Sequence, residues 1–243
     1  MHLPAITDFS ERKFCVMSNN EKNSDIFFQN EDNSNVVSSA VIKRLPRYFR
    51  YLRVLIRMGK TRVSSAELSR MMNVTASQIR QDLNCFGGFG QQGYGYNVNY
   101  LYTKICEILG VSQGFRAAII GAGSLGTALV RSTMFEKRGV DVVAMFDISK
   151  DVVGKRINGA RVYSMDSLEK TLDDFKVDIT ILTLPKEYAI SVSERLRNTS
   201  IKGIWNFTGQ ELDMANYGIV VENVHIGDSL MTLCYEIAKE KNK

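Results

Sequence analysis

No apolar run in these 243 residues approaches the roughly 18 positions a helix needs to cross a bilayer, which excludes a membrane-spanning helix. The N-terminal stretch has no apolar core following basic residues, so a secretory leader is not expected and the chain reads as cytoplasmic. Cysteine occurs only four times, at Cys15, Cys85, Cys106 and Cys234, far apart and with no Cys-x-x-Cys pair. Histidine occurs twice, at His2 and His225. That is too thin a supply of ligands for a zinc site; scattered reduced thiols are expected, and no metal.

Charge is nearly balanced overall, at +5, yet unevenly placed. Residues 1–37 carry 3 basic and 6 acidic side chains, residues 38–114 carry 11 and 3, and residues 115–243 carry 17 of each. All the excess positive charge therefore sits in one segment, the electrostatic footprint of a partner that is a polyanion.

The pattern along the chain divides it further. Residues 1–37 are polar, rich in Asn, Ser, Asp and Glu, and read as a disordered tail. From Ser39, Val41, Leu45, Tyr48, Leu52, Leu55 and Ile56 fall at helical spacing with arginines between them. Pro46 either kinks this helix or marks where its regular part begins. Ser64 with Glu67, and Thr75 with Gln78, are capping boxes that open two short helices joined by Met72-Asn73-Val74, a helix-turn-helix pattern. A glycine-rich stretch follows, then a helix ended by Gly110.

Beyond residue 114, strand-like and helix-like runs alternate. Phe115–Ile120 begins a series of strands, one helix is expected from Ser124 to Gly139, and a terminal amphipathic helix begins at Asp228. Alternation of this kind implies a doubly wound, Rossmann-type parallel sheet.

Two glycine clusters carry the chemistry. In Gly121-Ala122-Gly123-Ser124-Leu125-Gly126, the three glycines match Gly-x-Gly-x-x-Gly directly after a buried strand and at the start of a helix. The first permits the tight turn, the second lets backbone approach a pyrophosphate, and the third lets helix and strand pack. The helix N-terminus then faces the phosphates. About 20 residues further on, a strand ends at Asp147, with Ile148 next to it in the cofactor site; the Asp147 carboxylate would accept from both ribose hydroxyls and repel a 2′-phosphate, favouring NAD over NADP. Thr183-Leu184-Pro185 and Asn206-Phe207 end two later strands and fall where the nicotinamide half would lie; for Asn206, capping a loop is an equal reading.

Hydride-transfer chemistry normally adds a substrate domain and a general acid. Here the residues after Leu184 only complete the sheet and a final helix. Lys186 and His225 are the available candidates, and His225 lies in an apolar stretch that suits a structural role. The nucleotide reads as a sensed ligand and the chain as no enzyme. The alternatives are an NAD-dependent oxidoreductase with a basic oligomerisation segment and a Rossmann-like CoA-binding interaction module.

The other cluster, residues 87–96, reads GGFGQQGYGY. It follows the helix-turn-helix, and glycines interleaved with Phe89, Tyr94 and Tyr96 suit a two-stranded ribbon, the wing of a winged helix. Its Gln92, Tyr94 and Tyr96 would donate to phosphates or groove edges. The second short helix would offer Ser77, Gln78, Arg80 and Gln81 to the major groove, Arg toward guanine and Gln toward adenine. Lys60 and Arg62 would touch phosphate.

Together, "AVIKRLPRYFRYL", "VSSAELSRMMNVTASQIRQDLNCFGGFGQQGYGYNV", "IIGAGSLGTAL", "FDIS", "LTLPKE", "IKGIWNF" and "VENVHIGDSLMTL" resemble the redox-sensing transcriptional repressors of the Rex family, over residues 38–240. The resemblance implies a homodimer with a winged-helix domain (38–114), an NAD(H)-binding Rossmann domain (115–227) and a C-terminal helix (228–243) exchanged between subunits. It implies binding to a palindromic double-stranded operator, release by NADH, and NAD⁺ competing for the same site. Some members join a first-helix arginine to a tyrosine and an aspartate; here Arg50 is present, but Ser132 and His225 stand at the other two positions. Basic positions of the recognition helix and wing are Gln81 and Gln92, and the loop NFTGQELDMANYG departs from the proline-containing form.

Overall fold

The computed structural model describes residues 38–86, 90–91 and 94–241, and among them divides into two compact units that meet in sequence at Gln113 and Gly114. The expected tail (1–37) and most of the ribbon tip, including Phe89 and Gln92, lie outside the described residues.

In the first unit, α1 (Ser39–Arg57) buries Val41, Leu45, Tyr48, Phe49, Leu52 and Leu55, one apolar stripe at three- and four-residue steps. The helix runs through Pro46 without ending. Proline offers no N–H to the carbonyl of Ile42, but Ile42 is exposed, so water can take the donor's place. After β1 (Arg62–Val63), α2 (Ser65–Met72) and α3 (Ala76–Asn84) are capped by Ser64 and Thr75, whose hydroxyls accept from the Glu67 and Gln78 N–H groups at 3.1 Å. Asn73 ends α2 in the left-handed region, φ 52°, which turns the chain sharply into α3. Among the described residues, the reciprocal halves of both capping boxes are not made. The Glu67 carboxylate pairs with Lys60, and the Gln78 carboxamide with Asp82.

β2 (Gly90–Gln91) and β3 (Gly95–Asn97) pair antiparallel, and β3 also pairs with β1, giving the order β1-β3-β2. Gly95 lies at φ +69°, and a Cβ there would come within 2.6 Å of the Val63 carbonyl oxygen, so β3 can cross β1 this closely only as glycine. Asn97 caps α4 (Val98–Ile108) by accepting from Tyr100 N–H at 3.0 Å. α4 adds Val98, Leu101 and Ile105 to a core shared with Leu45, Tyr48, Leu68, Ile79 and Leu83.

The second unit is built on a seven-stranded sheet. Its strands are β4 (Phe115–Ile120), β5 (Val140–Asp147), β6 (Arg156–Ile157), β7 (Ala160–Ser164), β8 (Ile179–Leu182), β9 (Gly203–Asn206) and β10 (Val220–Asn223), in the order β10-β9-β8-β4-β5-β7-β6. All pairs are parallel except β6 with β7. With the short β6 set aside, this is the doubly wound dinucleotide-binding order, whose chain reverses direction of travel between β4 and β8. Along β4 the faces alternate. Ala118 and Ile120 join Phe146, Leu168, Leu172 and Leu196 on the face covered by α6 (Leu168–Asp174) and α7 (Ala189–Leu196). Ala117 and Ile119 join Met145, Val162 and Val130 on the face of α5 (Ser124–Arg131).

α5 is shorter than the expected helix to Gly139. It stops at Arg131, Asn158 Nδ2 donates to the Val130 carbonyl at 2.7 Å, and Ser132 is extended. A separate 3₁₀ turn, Glu136–Arg138, follows, and Gly139 ends it at φ 68°. The terminal α8 (Ile226–Lys241) has every described side chain exposed, including Leu230, Met231, Leu233, Tyr235 and Ile237.

Candidate nucleotide pocket and nucleic-acid interface

In the second unit the carboxyl ends of β4, β5, β8 and β9 carry the nucleotide-facing candidates. Gly121 leaves β4 at φ +105°, and its N–H donates to the Phe146 carbonyl at 2.8 Å. A Cβ on Gly121 would meet the Thr183 carbonyl oxygen at 2.8 Å, and one on Gly126 the Gly121 oxygen at 2.0 Å. Both glycines are therefore fixed by the close packing of turn, helix and β8. Gly123 differs: a Cβ there meets nothing within 4 Å. Its want of a side chain serves no packing, and the space beside it is what a pyrophosphate would fill. Gly123 caps α5 without a side-chain bond, so the first N–H groups, from Ser124 and Leu125 onward, stay available to an anion at the positive end of the helix.

Asp147, at the end of β5, accepts from the Ala122 N–H at 2.7 Å through Oδ2 and from the Ser149 N–H at 2.8 Å through Oδ1. Each oxygen keeps a further lone pair, and the two bonds fix the carboxylate beside the glycine turn. Thr183 joins the strands from the other side: its N–H donates to the Ile120 carbonyl at 2.9 Å and its hydroxyl to that of Gly121 at 2.8 Å. Ile148 and Pro185 are exposed, while Leu184 and Phe207 are half-buried. Asn206 is otherwise placed. It is 1% exposed, its Nδ2 donates to the Gln210 carbonyl at 2.6 Å and to Asn223 Oδ1 at 2.7 Å, and its Oδ1 accepts from Thr208 Oγ1 at 2.7 Å. Its side chain is consumed in shaping the loop after β9, the second of the two roles open to it from sequence.

In the first unit, Ser77, Arg80 and Gln81 are exposed on α3, with Arg80 Nη1 3.2 Å from Ser65 Oγ. Arg62 donates to the Tyr94 carbonyl at 3.2 Å and lies 5.8 Å over the Tyr94 ring, which is itself 69% exposed. Lys60 is exposed and paired with Glu67. Tyr96 corrects the expectation for the wing: at 8% exposure its ring is part of the apolar core, and burial raises its hydroxyl above the ordinary tyrosine range, against the opposing charge of Arg80. Alternation along β3 sends Tyr96 inward, so it anchors the ribbon and does not face a ligand.

Beneath this surface lies a buried cluster that no sequence motif marks. Asp82, on α3, is fully buried and accepts from Arg44 Nε and Nη2, both at 2.7 Å, from Tyr48 Oη at 3.0 Å and from Gln78 Nε2 at 2.8 Å. Burial pushes its pKa up, but the bonds from Arg44, Gln78 and Tyr48 outweigh it and hold the carboxyl below its ordinary value. Tyr48 is pushed well up, by burial and then by the adjacent Asp82 charge. One signal was present: Asp82 falls between Ile79 and Leu83, on the apolar side of its helix, where a lone carboxylate demands partners.

Comparison with known proteins places both units. The family described as "Putative DNA-binding protein N-terminus" matches residues 36–84, and that described as "CoA binding domain" matches residues 112–209. The redox-sensing transcriptional repressor Rex of Thermoanaerobacter sp. (strain X514) is 47% identical over 206 residues, covering 85% of this chain and 92% of that one. Its namesake in Clostridium beijerinckii is 45% identical over 199 residues, 82% of this chain and 94% of that one. Among solved structures, the protein RSP in complex with β-NAD⁺ and operator DNA is 47% identical, with a TM-score of 0.80 over 86% of this chain and 95% of that one. RSP in complex with β-NADH is 44% identical, with a TM-score of 0.79 over 86% and 97%. On relatives this similar along nearly their whole length, the chain belongs to the Rex family of redox-sensing transcriptional repressors.

Proposed function

We propose that this chain is a cytoplasmic, NAD(H)-sensing repressor that binds a palindromic double-stranded operator as a homodimer and is released by NADH. The observation that carries this reading is the pairing, on one chain, of a capped helix-turn-helix with Ser77, Arg80 and Gln81 exposed and a glycine turn whose open position, Gly123, lies beside an anchored Asp147. α3 enters the major groove; Arg80 and the glutamines Gln78 and Gln81 read base edges, and Arg62, Lys60 and the exposed Tyr94 contact the backbone. Residues Gly121 to Gly126 hold the pyrophosphate, Asp147 and Ile148 the adenosine ribose, and Thr183, Leu184, Pro185 and Phe207 border the nicotinamide half. α8 supplies the dimer contact by exchange between subunits, which would cover its otherwise exposed apolar side chains. Nucleotide here is a signal: no paired acid and nucleophile is needed for release. Among the described residues no helix is long and apolar enough to cross a membrane.

The test is fluorescence anisotropy of an AT-rich palindromic duplex titrated with the full chain. NADH at micromolar levels is expected to abolish the complex and NADPH to leave it. Arg80→Ala should lose about 1–3 kcal/mol for each base contact removed. Asp147→Ala should still bind DNA but respond poorly to NADH. A complex indifferent to NADH would overturn the sensing role.

A further inference from the structure

The Asp82 cluster does more than join two helices. Each carboxylate oxygen accepts two bonds: Oδ1 from Arg44 Nη2 and Gln78 Nε2, Oδ2 from Arg44 Nε and Tyr48 Oη. The Arg44 fork and the Tyr48 hydroxyl, both on α1, would by themselves hold a buried carboxylate still. The fourth acceptor site is spent on Gln78, a residue of the first turn of α3, the turn of a recognition helix that reaches base edges.

That bond selects one orientation of the carboxamide. A carboxylate only accepts, so the amino end must face Asp82, because the flipped amide would set oxygen against oxygen at 2.8 Å. An amide has two N–H bonds. With one given to Asp82, Oε1 and the other N–H remain, and among the described residues neither has another hydrogen-bond partner. Those two atoms form the edge that pairs with adenine, N–H to N7 and oxygen from N6–H. We propose that Asp82 is a positioning residue for base readout, holding the Gln78 carboxamide by one N–H so that its adenine-matching edge is set before DNA arrives. Fixing the side chain in the free protein removes an ordering cost from binding, and fixing its direction discriminates against a base offering the opposite pattern. The inference rests on α3 being the recognition helix.

Two measurements test it on the full chain. In ¹⁵N-labelled wild-type protein without DNA, the Gln78 side-chain amide, identified by its loss in Gln78→Ala, should show two well-separated protons, one slow to exchange with water. Exchange like that of an exposed glutamine overturns the proposal. Second, affinities are measured for operator duplexes changed one base pair at a time. Gln78→Ala locates the base pair read, and Asp82→Asn, whose amide tolerates either direction of Gln78, should lose about tenfold discrimination at that same pair. Its affinity for random duplex should stay within about twofold, and Gln78→Ala/Asp82→Asn should be no worse there than Gln78→Ala. Uniform weakening on every duplex, or losses that add in the double variant, would reduce Asp82 to a staple and overturn the proposal. Should Asp82→Asn fail to fold by circular dichroism, the wild-type amide measurement decides. If Gln78→Ala changes no base preference while Arg80→Ala does, the positioning role falls and the operator-binding reading stands; loss of operator preference in the wild type itself would sink that reading instead.

Discussion

At the scale of single residues, neighbouring glycines do opposite work. Gly126→Ala would drive a Cβ into a backbone oxygen 2.0 Å away, so turn and helix must part. The expected cost is about 1–3 kcal/mol of stability, read by thermal or urea unfolding. Gly123→Ala meets no atom within 4 Å and should leave stability within about 0.5 kcal/mol. The same variant should weaken NADH binding by about tenfold or more, because its methyl occupies the space the phosphates need; calorimetric titration checks this. Asp82 sets a pH dependence at the same scale. Its folded pKa lies below the unfolded one, so its ion pair with Arg44 contributes fully above about pH 4, the ordinary carboxylate value, and is lost as pH falls through the lowered folded value. Asp82→Asn should therefore unfold more easily at neutral pH, by about 1–3 kcal/mol, and lose part of the wild type's acid sensitivity. Melts of both proteins between pH 7 and 3 compare the slopes, and identical slopes would refute the assignment.

At the scale of elements, helix starts were readable because a cap is local. Ser64 and Thr75 need only an N–H three residues on, and both bonds form. The return bonds from Glu67 and Gln78 do not, because Lys60 and Asp82 compete for those side chains from outside the pattern. Thr75→Ala should cost about 1 kcal/mol in thermal unfolding. Asn73, at φ 52°, should tolerate glycine, whereas Asn73→Val should cost about 1–3 kcal/mol in the same measurement and weaken operator binding by misdirecting α3. α5 shows the limit of periodicity. Its apolar rhythm persists past Arg131, yet the helix ends where Asn158, brought in from the β6–β7 turn, takes the Val130 carbonyl.

At the scale of the molecule, α8 is the element on which the proposed homodimer turns. Sixteen residues of regular helix leave Leu230, Met231, Leu233 and Tyr235 more than half exposed, an apolar surface that a soluble monomer would not keep. On the proposed homodimer, truncation before Ile226 should yield a monomer in sedimentation velocity and sharply weaken binding to a two-half-site operator, since one half-site then contributes alone. A truncated chain that still sedimented at twice its own mass would remove α8 from the interface.

The glycine spacing, the caps, the alternation of strands and helices and the placement of charge were all determined by sequence alone. Each depends on residues a few positions apart and on the fixed periods of helix and strand. The partners of Asp82, the burial of Tyr96 and the consumption of Asn206 were decided only by the tertiary structure. Arg44 meets Asp82 across 38 positions, and Asn206 meets Asn223 across 17. A polar side chain's role depends on which donors the fold brings within about 3 Å of it, and no local pattern contains that distance.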